Sequence, residues 1–243
     1  MKRYQNMCLI ITGTIVPNDN IYCLNLKNSE ERLRQYLNSL EFYINNSQLN
    51  NIVFCDNSNT FVKKIASLEK LARKQNKNFE YLFFQGNQEN ILKKGKGYGE
   101  GEIIEYVLEH SNLIKRSTVL VKVTGRLIVK NINLILFLIH KNQNYFDVVK
   151  TKVCDTRFYI VSKEMYNHFF AQAYKRVDDK KNIWIEHIFK KIILDNNLSF
   201  KLFPIQPNII GISGSTGKKY RNYSKLKYYA KLILQKIHLY KFK

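Results

Sequence analysis

The chain has 243 residues, 45% of them hydrophobic, enough for one ordinary core and too apolar for a disordered segment. Its 40 basic and 19 acidic side chains leave a formal charge of +21, which calls for an anionic partner: a phosphorylated substrate, an acidic lipid surface or a nucleic acid. Four scattered cysteines without CxxC or Cys/His spacing exclude a disulfide framework and a structural zinc site, and they fit a reducing cytoplasm.

Residues 7–16 form an apolar run after a basic start. They contain Thr12, Gly13 and Thr14 and meet Pro17 rather than a small-residue cleavage site, so they read as a buried strand and not as a signal core. SEERLRQYLNSLEFYI follows as a helix capped by Ser29, then NIVFCDNS as a strand ending in turn residues. The alternation repeats with helix TFVKKIASLEKLARKQ and strand FEYLFFQG. Glycines 95, 97, 99 and 101 come next and read as a flexible turn, with a helix opening near Glu102. Backbone N–H groups of such a turn suit an anion, helped by the positive end of the helix, although a plain surface loop has the same composition. The spacing is neither a P-loop nor the dinucleotide pattern GxGxxG.

TVLVKVTGR is the fourth strand, and apolar strands alternating with helices predict an α/β fold with a mostly parallel sheet covered on both faces. NINLILFLIH reads as a short helix, far below the roughly 20 residues that span a bilayer. YFDVV and DTRFYIVS are strands, KEMYNHFFAQAYKRV a helix, Asp178 and Asp179 a loop, NIWIEHIFKKIIL a helix and SFKLFPI strand-like. Turn-rich PNIIGISGSTGKKY lacks the surroundings of a nucleophile elbow, and its glycine-serine loop suits a phosphate contact, a lid or a plain hinge. The five histidines lack metal-ligand spacing.

A boundary is placed at Gly217, giving a domain over 1–217 and a tail over 218–243. That tail holds nine Lys or Arg and no acid, with Tyr228, Leu232, Ile233, Ile237 and Tyr240 at helical spacing. A basic amphipathic helix of this kind lies in anionic lipid headgroups or docks on its own core with a solvated basic face. A nucleic-acid arm is the remaining option, but no RNA- or DNA-binding motif accompanies it.

In a parallel sheet, ligands bind beyond the carboxyl ends of the strands. Thr12-Gly13-Thr14, Asp56-Asn57-Ser58, Gln85-Gly86-Asn87 and Thr124-Gly125-Arg126 all fall there. The stretches TGTIVP (12–17), CDNS (55–58), GKGYGEGEIIEY (95–106), KVTGR (122–126), DTRFY (155–159) and WIEH (184–187) together resemble glycosyltransferases of the GT-A type. More narrowly, the likeness is to small bacterial enzymes that build capsule, O-antigen or lipooligosaccharide.

That resemblance implies a Rossmann-like GT-A domain with a basic C-terminal helix, peripheral on the inner face of the cell membrane. A nucleotide-sugar donor would sit over the first strands, and a glycan or glycolipid acceptor would meet the second half. Thr12, Gly13 and Gly97 would approach the nucleotide, and Asp56 with Asn57 would accept from base or ribose. Asp56 fits an Asx turn equally well. The family's DxD metal motif is missing after KVTGR, where Lys122 and Arg126 flank Thr124. Cations there would neutralise a departing diphosphate without a metal, while Asp155 leaves open a water-rich Mg²⁺ or Mn²⁺ site and, with Arg157, equally suits a structural ion pair. Glu186 is the expected base for the acceptor hydroxyl, beside Trp184 for a sugar ring and His187, with Asp178 and Asp179 in reserve. A first-turn acid and a core tryptophan would give the same pattern. The rival readings are a nucleotidyltransferase, whose glycine-rich turn usually lies nearer the first strand, and a nucleic-acid-binding module driven by charge.

Overall fold

The computed structural model describes residues 4–140, 142–149, 153–220 and 224–236. Strand β1 (Met7–Gly13) is buried along its whole length and leads through a loop into helix α1 (Ser29–Asn46). The cap of α1 is Asn28, whose side chain accepts from the Glu31 amide at 2.8 Å, and not Ser29. Strand β2 (Asn51–Asp56), helix α2 (Lys63–Lys74) and strand β3 (Asn78–Phe83) follow as the sequence predicts.

Beyond β3 the chain departs from expectation. A short helix α3 (Gln88–Lys94) precedes α4, which spans Lys96–His110 and starts six residues before the expected Glu102. Gly97, Gly99 and Gly101 therefore lie inside a helix. Their role is close packing: a Cβ on Gly101 would come within 2.1 Å of the Tyr174 Cβ. Only Gly95 needs its freedom of backbone, turning from α3 to α4 at φ 104°.

Helix α5 (Asn112–Lys115), strands β4 (Val119–Thr124) and β5 (Ile128–Val129), helix α6 (Ile132–Leu138) and strands β6 (Tyr145–Val149) and β7 (Val153–Ser162) come next. The expected long helix after β7 breaks into a turn α7 (Lys163–Met165), a π-helical turn over Tyr166–Phe170 and a 3₁₀ turn over Ala173–Arg176. Helix α8 (Ile185–Asp195), strand β8 (Ile209–Ile210) and helix α9 (Lys225–Lys236) complete the order. SFKLFPI is irregular; there Lys201 alone bridges to Tyr145.

The main sheet has the order β3-β2-β1-β4-β7-β6. β1 pairs in parallel with both β2 and β4, β2 with β3, and only β7 runs against the rest. The sheet is thus mostly parallel, the α/β architecture of a Rossmann-like domain, with β5 and β8 forming a separate antiparallel pair. Alternation along β1 sorts two cores. Leu9 and Ile11 pack with Tyr36, Leu40 and Tyr43 of α1, while Cys8 and Ile10 pack with Ile103, Ile104 and Val107 of α4. Each such fully buried aliphatic contributes about 1.5–3 kcal/mol.

The period-two pleat has a direct consequence for function. Thr12, Lys122 and Thr124 occupy the α4 side of the rim. No described helix is long and apolar enough to cross a membrane. The described part of the tail docks on the body through Tyr228, which is fully buried in the core shared with Phe158 and Phe203. Ile237 and Tyr240 lie outside the described residues.

Candidate functional site

A cleft of about 420 Å³ opens at the carboxyl ends of β1 and β4 and the adjoining start of β7. Thr12, Gly13, Gly97, Arg126, Arg157 and Glu186 all line it, so six of the ten residues singled out from the sequence share one site. The remaining four, Asp56, Asn57, Lys122 and Asp155, are buried around it and bonded to protein groups.

The floor is a finished charge network. Lys122 is buried and donates to Glu100 Oε1, to Thr124 Oγ1 at 2.9 Å and to the Thr156 carbonyl at 2.6 Å. Glu100 also accepts from Thr124 at 2.9 Å and Thr12 at 3.3 Å. Burial alone would raise the Glu100 pKa, but the Lys122 charge and these donors outweigh it and hold the carboxylate below its ordinary range. Glu100 carries no sequence signal of its own, because the glycines around it read as a turn while the structure places it inside α4.

One wall is cationic and unfinished. Arg32, only 5% exposed, donates to the Thr14 carbonyl at 2.7 Å, the Leu26 carbonyl at 3.0 Å and the Tyr36 hydroxyl at 3.2 Å. Arg126 donates to Gln35 Oε1 at 3.2 Å and the Ile212 carbonyl at 3.1 Å. Lys96 reaches Ser215 of the glycine-serine loop. Among the described residues none of these three forms an ion pair. The sequence did carry a signal for Arg32. It sits four residues before Tyr36 on the buried stripe of α1 that continues through Leu40 and Tyr43, where a solvent-facing charge does not belong.

Opposite lies Glu186, in the first turn of α8, which accepts from Thr156 Oγ1 at 3.2 Å. Burial, reinforced by the charges of Glu100 and Asp155, pushes its carboxyl up to about 7. Trp184 lines the same side, half exposed and stacked on His187 with ring centroids 5.0 Å apart.

Other expected ligand groups are committed inside the protein. Asp56 accepts from the Ile15 amide at 2.6 Å, the Ser58 amide at 3.0 Å and the Thr60 amide at 3.3 Å; it stitches the loops after β1 and β2 and faces no cleft. Asn57 accepts from Thr14 Oγ1 at 2.6 Å and holds the same loops together. Asp155 grips the Arg157 guanidinium with both oxygens, at 2.8 and 3.1 Å from Nε, which leaves little of it for Mg²⁺ or Mn²⁺. Arg157 in turn lies 4.5 Å from the Tyr220 ring centroid. The anion at the N-terminus of α4 is internal: Asp179 accepts from the Gly97 amide at 3.2 Å, so that amide is already occupied. Asp178 caps its own turn through the Lys181 amide at 3.3 Å. Among the described residues, no three His, Cys, Asp or Glu side chains gather as a metal site would need.

The sequence matches no protein-family model and no curated protein at a significant level. Geometry and charge therefore carry the case for function.

Proposed function

We propose that the protein is a glycosyltransferase that moves a sugar from a nucleotide donor to a hydroxyl of a lipid-linked or lipid A-linked surface glycan. One observation carries the proposal. Arg32 and Arg126, buried or half-buried guanidiniums that form no ion pair among the described residues, share a cleft with Glu186, a carboxyl poised near neutrality. Cations that form no ion pair suit a multiply charged anion such as a diphosphate. A carboxyl near neutrality suits proton transfer at working pH.

In direct displacement the acceptor O–H gives its proton to the Glu186 carboxylate as its oxygen bonds to the anomeric carbon. The bond from that carbon to the diphosphate oxygen breaks, and the electron pair leaves with the diphosphate. Arg32, Arg126 and Lys96 then face the charge that develops there. Trp184 offers its exposed ring to an acceptor sugar. The nucleotidyltransferase alternative leaned on a glycine-rich phosphate loop, and it loses that support because the segment is helix α4.

Glu186→Gln is the direct test. Turnover with a nucleotide-sugar panel should fall by roughly 10²–10⁴ while donor affinity by titration stays unchanged. Undiminished turnover would remove Glu186 as base.

A further inference from the structure

Helix α9 has two faces with different surroundings. Tyr228 is fully buried and its hydroxyl donates to the Phe203 carbonyl at 2.9 Å. Lys231 donates to the Val148 carbonyl at 2.6 Å and lies 3.8 Å from Asp147. Gln235 accepts from the Leu202 amide at 2.9 Å. Three anchors at helical spacing fix the rotation of α9 about its axis, with Leu232 packed on the same side, so the opposite face of the helix points away from the body.

That outward face carries large apolar side chains. Leu226 is 83% exposed, Ile233 60% and Tyr229 47%, with Leu234 beside them. At i, i+3 and i+7 they form one stripe, which is not the stripe through Tyr228 that faces the core. Lys225, Lys227 and Lys236 are exposed on the same helix, and no Asp or Glu follows Asp195 anywhere in the sequence. A second copy of the chain is a poor cover, because pairing two such faces sets lysine against lysine with no acid between them.

We infer that the outward face of α9 seats on an anionic lipid bilayer. The helix lies in the headgroup plane, with its lysines on phosphates and Leu226, Tyr229 and Ile233 below them. The buried Tyr228 side holds the catalytic body against that surface. The inference goes beyond the transferase proposal, since lipid binding needs no chemistry in the cleft.

The test is co-sedimentation of the full chain with vesicles of equimolar phosphatidylglycerol and phosphatidylcholine, against phosphatidylcholine alone. Binding to the anionic vesicles only, weakened by salt, is expected. The variant K225Q/K227Q/K236Q should lower the partition coefficient roughly a hundredfold. L226S/Y229S/I233S should lower it at least about tenfold. Both variants should melt with the parent protein, because the altered side chains touch solvent. Undiminished binding of the serine variant would overturn the inference, as would a dimer in solution that this variant dissolves. Absence of vesicle binding would overturn it too, and titration of the same preparation with a nucleoside diphosphate would report separately on the cleft.

Discussion

Two groups of buried charge sit on one rim of the sheet, and they differ in what neutralises them. Beneath the cleft, Lys122 meets Glu100, and Thr124, Thr12 and the Thr156 carbonyl complete their hydrogen bonds, while the nearby Tyr159 hydroxyl is left without a partner among the described residues. Along the wall, Arg32 and Arg126 have carbonyls, a side-chain amide and a hydroxyl as partners, and no carboxylate among the described residues. A buried pair that closes on itself needs nothing further. Two guanidiniums facing one space repel each other, and an anion arriving between them removes that cost. Both groups adjoin the same cleft, so the completeness of local neutralisation is what distinguishes them.

The largest effect expected from this contrast is structural. Lys122→Met strands the Glu100 carboxylate below the cleft and should cost roughly 3–5 kcal/mol, a fall in Tm on the order of 10 °C. A thermal melt that matches the parent protein would show that the floor is not a structural pair. Arg126→Ala should behave in the opposite way. Its melt should change little, while affinity for a nucleoside diphosphate by calorimetry drops about 10- to 100-fold, as for a lost charge-assisted hydrogen bond. If Arg126→Ala unfolds the protein and spares affinity, the contrast between floor and wall collapses.

The sheet was largely legible before any coordinates, because strands such as MCLIITG and NIVFCD are apolar runs bounded by turn residues. The glycine-rich segment was not. The three glycines inside α4 lower intrinsic helix propensity by about 1 kcal/mol each, and the contacts they make with Tyr174, Val177 and Asn57 recover that loss. Those partners are distant in sequence, so no local pattern announces them. Among the candidate residues, Glu186 and Arg126 were readable as polar groups at element ends, where loops gather function. Asp56 was equally conspicuous, yet its oxygens are spent on loop amides, an arrangement the same DNSN composition favours. Arg32 escaped notice because a long helix offers many surface positions for arginine. Its place on the stripe with Tyr36, Leu40 and Tyr43 is the one signal the sequence holds for it, and Tyr36 and Thr14 bond the guanidinium there.

A third consequence is read through pH. The folded-state pKa of Glu186 lies above its unfolded value, so the fold favours the protonated acid. Its contribution to stability is fully present below the unfolded pKa near 4.3 and is lost as pH rises through about 7. Glu186→Gln should therefore be more stable than the parent at pH 8, by on the order of 2 kcal/mol, with the advantage disappearing at pH 4. The proposed catalysis runs the other way. With Glu186 as the proposed base, turnover should rise with pH through the same region and level off above it, since a base acts as the carboxylate. Melting curves that remain parallel from acid to base would remove the buried acid from the site.

The smallest expected effect tests the residue that joins the floor to Glu186. Thr156 gives its carbonyl to Lys122 and its hydroxyl to Glu186. Thr156→Val keeps the carbonyl and deletes the hydroxyl, so the floor should stand while the Glu186 carboxylate loses a donor. The rising limb of the turnover profile should then move to higher pH by up to about one unit, with Thr156→Ser restoring it. Because the hydroxyl stabilises only the ionised form, the shift should appear in the pH at half-maximal turnover and not in the plateau. A fall in plateau with no movement of the limb would mean that Thr156 contacts substrate instead, and that the floor and Glu186 are not coupled through it.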